Sequence, residues 1–367
     1  MNKYVSLYVH YPFCLGKCQY CDFVSLPLST NQELAKTYPE LLRQELALWA
    51  GEADFSCLHT VYFGGGTPAL LQPADVAALL ALLPEAAEIT LEANPGTVDQ
   101  DNLAAFRQAG VNRLSLGAQS FQPRLLQAMG RQHTPEQIGQ ALAAARAAGF
   151  ANLSLDLIYG LPEQSLADWQ QDLAAALALA PEHLSLYGLT LSEHSPWGRL
   201  AAAGQLFPAD EDLAADMEEL AVSLLKQAGY AHYEIANFAK PGFESQHNTA
   251  YWRRENYLGL GAAAASCAAQ HRWANQRDPY RYAAAIQSGQ LPKIEEEWLD
   301  MEQVIGEALF LGLRLLAGID LPAFARQYGV NPAERFKRSL RPLQAAGLLE
   351  IDDSRMALTE KGVLLSN

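Results

Sequence analysis

Over the first two-thirds of the chain, short runs rich in β-branched and aromatic residues alternate with stretches of helical apolar spacing. Strands are expected at Val5–Tyr11, His59–Phe63, Glu88–Ala93, Arg113–Ala118, Asn152–Ile158 and His183–Leu189. Helical patterns separate them at Asn31–Trp49, Pro73–Leu83, Asp99–Ala109, Pro135–Ala148 and Ser165–Ala180. Two parallel neighbours need a long crossover, which an amphipathic helix supplies, so repeated βα units predict an α/β fold with a parallel sheet and helices outside. Six units suit a partial (β/α)6 barrel better than a closed eight-stranded one, and functional side chains should gather where strands end. A chain of 367 residues, half of them hydrophobic, can bury such a domain and carry a small appendage.

The pattern changes after about Glu193. Asp210–Gly229 reads as a helix, Tyr230–Ser266 as loops and short strands rich in aromatics, Gly and Asn, and the chain from Trp298 onward as helical. Helices at Leu321–Tyr328 and Pro332–Ala346 precede Leu349–Ile351 and Met356–Leu358, which can pair around Asp352–Arg355. That outline predicts a small α+β C-terminal domain resembling a winged helix. The expected division is residues 1–235 for the partial barrel, 236–297 for an aromatic-rich connecting region and 298–367 for the C-terminal domain. A formal charge of −15 argues against a bulk nucleic-acid binder, because phosphate recognition needs a basic surface. The basic run Arg335–Arg341 is expected to be a solvated helix face or a partner contact. No stretch approaches the ~20 apolar residues of a transmembrane segment, and no leader-like segment is visible, so a cytoplasmic protein is expected.

Three of the five cysteines, Cys14, Cys18 and Cys21, follow the first strand within eight positions. A disulfide framework would be denser and even in number. Thiolates are soft ligands suited to iron–sulfur clusters and zinc. His10 would complete a zinc set, but it lies inside the first strand, and structural zinc ligands usually come as two separated pairs. Three thiolates on a cubane leave one iron open, as reactive metal centres require. Cys57 and Cys267 lie outside this loop and are expected to be buried thiols. After the second strand comes Gly64-Gly65-Gly66-Thr67-Pro68, where missing side chains let backbone and ligand approach closely.

The spacing C-x3-C-x2-C, with Tyr20 before the last cysteine, resembles the signature of the radical S-adenosylmethionine (SAM) superfamily, and the glycine run resembles its SAM-binding motif. The resemblance implies a [4Fe-4S] cluster on Cys14, Cys18 and Cys21, with SAM at the open iron. Tyr8–Cys14, Gly64–Pro68, Leu91–Gly96, Leu116–Phe121 and Asp156–Pro162 extend it to the family of the oxygen-independent coproporphyrinogen III oxidase and the heme chaperone HemW, over nearly the whole chain. That likeness implies SAM contacts at Tyr8, Tyr20, Gly65, Gly66, Thr67, Glu92, Gln119, Arg131 and Asp156. Among these, Glu92 would accept from the SAM ammonium, Asp156 from a ribose hydroxyl or a cation, and Arg131 would pair with a carboxylate.

Within that family, the oxidase carries a fourth cysteine after the motif and a longer N-terminal extension. Here the fourth position is Phe23, and the cluster loop begins at residue 14; both count against porphyrinogen decarboxylation. His247-Asn248-Thr249-Ala250-Tyr251-Trp252 is similar to the HNxxYW heme-binding motif, which implies His247 as a heme ligand beside two aromatics. Gly259–Ser266 departs from the family, with Ala263 and Ala265 where a glycine and a histidine are expected. The implied function is a chaperone that binds heme and transfers it to an unidentified acceptor protein, with an electron donor serving the cluster. The alternatives are radical decarboxylation of porphyrinogen propionates and radical methylation that modifies heme. The sequence leaves open whether the chain is an enzyme and assigns no catalytic side chain.

Overall fold

The computed structural model describes residues 1–366. Six strands follow the βα rhythm: β1 (Ser6–Tyr11), β2 (Thr60–Gly65), β3 (Glu88–Ala93), β4 (Arg113–Gln119), β5 (Leu153–Tyr159) and β6 (His183–Gly188). Each pairs in parallel with the next. The crossovers are helices α1 (Gln32–Leu48), α2 (Pro73–Leu80), α3 (Gln100–Gln108), α4 (Pro123–Met129), α5 (Pro135–Ala147) and α6 (Leu166–Ala178). Alternation along β4 shows how the sheet sorts its residues. Leu114, Leu116 and Ala118 are fully buried in the main hydrophobic core, while Arg113, Ser115, Gly117 and Gln119 line the inner cavity. The helices start where side chains cap free N–H groups: Asp99 accepts from Asn102 N and Ser165 from Asp168 N.

Beyond β6 come α7 (Pro196–Ala202) and α8 (Glu211–Gln227), then β7 (Ala231–Glu234), β8 (Asn237–Ala239), α9 (Gln246–Trp252), β9 (Tyr257–Leu260), β10 (Ala265–Ala268), β11 (His271–Asn275), α10 (Pro279–Gln287) and β12 (Lys293–Trp298). These strands extend both edges of one twelve-stranded sheet, in the order β7-β8-β6-β5-β4-β3-β2-β1-β9-β10-β11-β12. The order does not return on itself, so the barrel is partial. β9 runs parallel to β1, with Tyr257 opposite Ser6, and the remaining additions are antiparallel. The aromatic-rich segment therefore supplies sheet edges and one helix, where only loops and short strands were expected.

The C-terminal domain holds α11 (Met301–Gly312), β13 (Ile319–Asp320), α12 (Leu321–Tyr328), α13 (Pro332–Arg335), α14 (Lys337–Ala345), β14 (Leu349–Ile351), β15 (Arg355–Leu358) and α15 (Glu360–Leu364). Its three strands pair in the order β13-β15-β14, matching the winged-helix outline. The helix expected over Pro332–Ala346 breaks at Phe336, whose ring packs against both small cores of the domain. The domain is tied to the sheet by Glu307, which accepts from Arg254 Nε at 2.7 Å and Arg272 Nη1 at 2.6 Å. Arg314 also lies over the Trp252 ring, 4.4 Å from its centroid. Among the described residues no helix is long and apolar enough to cross a membrane.

The turn from β9 to β10 is held by α1 and α10. The wholly buried Glu45 carboxylate accepts from Gly261 N (2.7 Å), Asn275 Nδ2 (2.6 Å) and Tyr282 OH (2.7 Å), and Tyr38 OH accepts from Ala262 N (2.7 Å). Ala263 stands in the left-handed region at φ 60°, where a Cβ is strained. Ala263→Gly is expected to raise unfolding free energy by about 0.5–1 kcal/mol, strain relief outweighing the added freedom of the unfolded chain. Urea denaturation measures it, and a loss of stability would contradict the strain.

Candidate functional site

The inward positions of the strands enclose a cavity of about 410 Å3. Its wall takes Tyr62 from β2, Glu92 from β3, Arg113, Ser115, Gly117 and Gln119 from β4, Asp156 and Ile158 from β5, and Ser185 and Tyr187 from β6. Cys14, Cys18 and Cys21 close its mouth at the C-terminal ends of the strands, as the barrel principle requires.

The cysteine loop is pinned from several sides. Gln19 N donates to Met129 O at the end of α4 (3.0 Å), and Trp197 N of α7 donates to Gln19 O (2.8 Å). Lys17 Nζ closes the loop by donating to Phe23 O (2.6 Å) and Ser25 Oγ (3.2 Å). All three thiols are free and half-buried. Thr67 Oγ1 donates to Cys14 Sγ (3.5 Å) and Arg131 Nη1 to Cys18 Sγ (3.6 Å), so both sulfurs already face a donor. Burial pushes the Cys14 and Cys21 thiols up, opposed at Cys14 by Thr67 and at Cys21 by Lys17. No three His, Cys, Asp or Glu side chains among the described residues converge on a single ion. A cubane asks for less convergence, since each thiolate takes a different iron, and this donor set fits one. His10 is engaged elsewhere: its Nε2 meets Val24 O (2.9 Å) and its Nδ1 meets Tyr8 OH (3.0 Å).

Most of the residues expected at SAM surround this mouth. Tyr20, Gly65, Gly66, Thr67, Glu92, Gln119, Arg131 and Asp156 all line the cavity. The glycines are required by the protein itself: a Cβ on Gly66 would lie 2.6 Å from Phe13 O, and one on Gly65, at φ 107°, 2.5 Å from the His10 ring. Gln119 stands at φ 66°, at a register shift between β4 and β5 that turns its side chain toward the mouth. Arg131 is clamped by Asn94 Oδ1 (2.5 Å) and Gly117 O (2.6 Å). Tyr8 is the exception: it is absent from the lining, lies behind Tyr62 and bonds to His10.

Glu92 accepts from Tyr62 OH (2.8 Å) and Gly65 N (3.2 Å), yet burial pushes its carboxyl up to about 7. Burial also raises Asp156, against donors at Ser185 and Ser115. The Glu92 shift carries a sign for a cationic ligand. A cation gains from the ionised form, so below about pH 7 its binding must first expel a proton. SAM affinity should fall as pH drops below 7, by at most about tenfold per unit, and Glu92→Gln should flatten the profile. Calorimetric titration measures it; a wild-type profile as flat as the variant's would contradict the assignment.

The imidazole expected to meet heme iron is shut inside the molecule. His247 is 1% exposed and forms the floor of the barrel on α9. Glu88, from the base of β3, accepts from Gln246 N (3.1 Å) and His247 N (3.0 Å). The ring stacks on Tyr62 with centroids 5.0 Å apart. Its Nδ1 lies 2.8 Å from Thr60 Oγ1, and its Nε2 lies 2.8 Å from Tyr251 OH. Because the Thr60 hydroxyl donates to Ser6 Oγ (2.9 Å), Nδ1 carries the proton, and Tyr251 OH donates into the Nε2 lone pair. Burial, followed by nearby Arg113, drops His247 to about 3, so the ring is neutral, but the lone pair a metal would need is taken. Trp252 is likewise covered, by Arg314. Only Asn248 of the motif lines the cavity. Gly259–Ser266 lies off the cavity altogether; Ala265, where a histidine was expected, is exposed on β10. Of the two outlying cysteines, Cys267 is buried as expected, but Cys57 is exposed.

Tyr62, Asn94, Arg113, Ser115, Ser185, Tyr187 and Asn248 line the cavity without having been expected there. For the strand residues the signal was present, since Arg113 and Ser115 share the inward face of β4 with Gln119, and Ser185 with Tyr187 shares that of β6.

Residues 8–176 match the Radical SAM superfamily and residues 299–365 the HemN C-terminal domain. Heme chaperone HemW of Lactococcus lactis is 36% identical over 373 residues, covering 100% of this chain and 96% of that protein. Heme chaperone HemW of Bacillus subtilis is 34% identical, covering 99% of this chain and 97% of that protein. Among solved structures, coproporphyrinogen III oxidase (HemN) from Escherichia coli, a radical SAM enzyme, superposes with a TM-score of 0.85 at 26% identity, over 100% of this chain and 88% of that one. The chain belongs to the radical SAM superfamily and, within it, to the HemW family.

Proposed function

We propose that this chain is a heme chaperone that binds heme and passes it to an acceptor protein, with a [4Fe-4S] cluster and SAM at the cavity mouth. The observation that carries the reading is likeness to proteins named heme chaperone HemW over essentially the full length of both partners. Phe23 supports it. In place of a fourth cysteine, the site has an exposed aromatic ring at the rim of the cavity. Cys14, Cys18 and Cys21 would hold the cluster, which in its reduced form could supply one electron to a SAM sulfonium. The chain's own residues position that ligand: Gly65, Gly66 and Thr67 form one wall, Glu92 and Asp156 offer carboxyl groups, and Arg131 braces Cys18. In this proposal the protein works in the cytoplasm and meets an electron donor and an acceptor that remain to be identified. His247 could ligate heme only after Tyr251 releases Nε2.

The test is anaerobic incubation of cluster-loaded protein with SAM and reductant, with coproporphyrinogen III or heme added. The reading expects heme recovered intact and no porphyrinogen decarboxylation. Protoporphyrinogen formed in a substrate-dependent way, or methylated or ring-opened heme, would overturn it.

A further inference from the structure

The inner end of the cavity holds a guanidinium to which the described residues give no hydrogen bond and no ion pair. Arg113 begins β4, at the base of the inward ladder Arg113-Ser115-Gly117-Gln119. Its residue is 2% exposed and lines the cavity. Its Nε is a buried donor without an acceptor, and no hydrogen bond or ion pair to any of its nitrogens forms among the described residues. The cavity's two carboxyl groups feel the Arg113 charge but bond elsewhere: Glu92 with Tyr62 OH and Gly65 N, and Asp156 with Ser115 Oγ at 3.0 Å. Arg131, the other guanidinium on the wall, donates at the mouth through its Nη1 and Nη2 to Cys18, Asn94 and Gly117, and only its Nε lacks an acceptor, whereas the Arg113 guanidinium makes no hydrogen bond at all among the described residues.

A guanidinium carries five donors in a planar fork, and burying it without a hydrogen-bond acceptor is unfavourable. Carboxylates match that fork with two parallel hydrogen bonds. Neutral polar groups, Ser185, Tyr187 and Asn248, line the same cavity and can complete the shell around a bound oxygen. The position also separates this site from the cluster. From Arg113 to Gln119 the strand rises by about 20 Å, so the base of the ladder is remote from the thiols. We propose that Arg113 anchors an aliphatic carboxylate of a ligand lodged in the inner end of the cavity, distinct from the groups gathered at the cysteine loop. Two sources share this chemistry, the amino-acid carboxylate of a SAM-type molecule other than the one at the cavity mouth and a propionate of a tetrapyrrole. The subsite does not depend on which of them fills it, so it stands even if the heme reading fails.

Equilibrium binding to cluster-loaded protein is measured for two pairs of probes: SAM with decarboxylated SAM, and deuteroporphyrin with its dimethyl ester. Wild type is compared with Arg113→Met and Arg113→Lys. In one pair, wild type should prefer the acid, and Arg113→Met should cut that preference at least about tenfold while Arg113→Lys keeps part of it. The pair that responds identifies the source. Unchanged acid-to-neutral ratios in both pairs would overturn the proposal. So would an equal loss of acid and neutral probe, the mark of a merely structural arginine. If Arg113→Met does not fold, Arg113→Gln, which keeps a polar end without charge, is read in the same way.

Discussion

Cys18→Ala is expected to yield a folded protein that retains no iron–sulfur cluster. The loop keeps its anchors, since Gln19 N still donates to Met129 O and Lys17 still bonds Phe23 O. Only a half-buried thiol is lost, so the change in apo stability should stay within about 1 kcal/mol. Two thiolates cannot replace three on a cubane, and Arg131 loses the sulfur it faces at 3.6 Å. Anaerobic reconstitution followed by iron and sulfide analysis should return near-zero occupancy. Cys57→Ala, exposed and outside the loop, should load as wild type does. Full loading of Cys18→Ala would remove Cys18 from the ligand set.

The second large effect falls on the barrel floor. His247→Ala removes a stacked, fully bonded imidazole, leaving Thr60 Oγ1 and Tyr251 OH short of a partner and a void beneath Tyr62. Cavity and orphaned hydroxyls together should lower unfolding free energy by about 3–5 kcal/mol. Tyr251→Phe removes one hydrogen bond and should cost only about 1 kcal/mol, while freeing Nε2. Denaturant titration measures both, and a loss under about 1 kcal/mol for His247→Ala would deny the imidazole its structural role. Heme titration of Tyr251→Phe then separates floor from ligand. Unchanged affinity is expected from the closed floor, whereas tighter binding would mark iron ligation by the freed nitrogen.

How much of this was legible before the structure depends on where each element takes its partners. The parallel strands were readable because their alternation is local: Leu114, Leu116 and Ala118 pack outward in β4 whatever the rest of the chain does. The cysteine loop and Gly64–Pro68 were readable as spacings. Helix α9 was not, because the carboxylate that receives its first N–H groups is Glu88, 159 residues before His247. The state of His247 was hidden as well, because one of its two partners, Thr60 on β2, lies 187 residues away, although the other, Tyr251, is on its own helix. Its motif identified the residue, but only packing shows which lone pair is occupied. The pairing of β9 with β1 is similarly non-local, a Gly-rich segment becoming a strand because a parallel edge was waiting for it. Helix α4 is short, and its function is to hold the cysteine loop through Met129 O, a contact no periodicity reveals.

The central claim is that this chain carries heme without changing it. The direct measurement is an anaerobic heme titration of cluster-loaded protein, followed by incubation with SAM and reductant and recovery of the pigment. The account predicts saturable binding at low micromolar heme or below and recovery of unmodified heme. Absence of saturable binding, or conversion of the bound heme to another pigment, would contradict it.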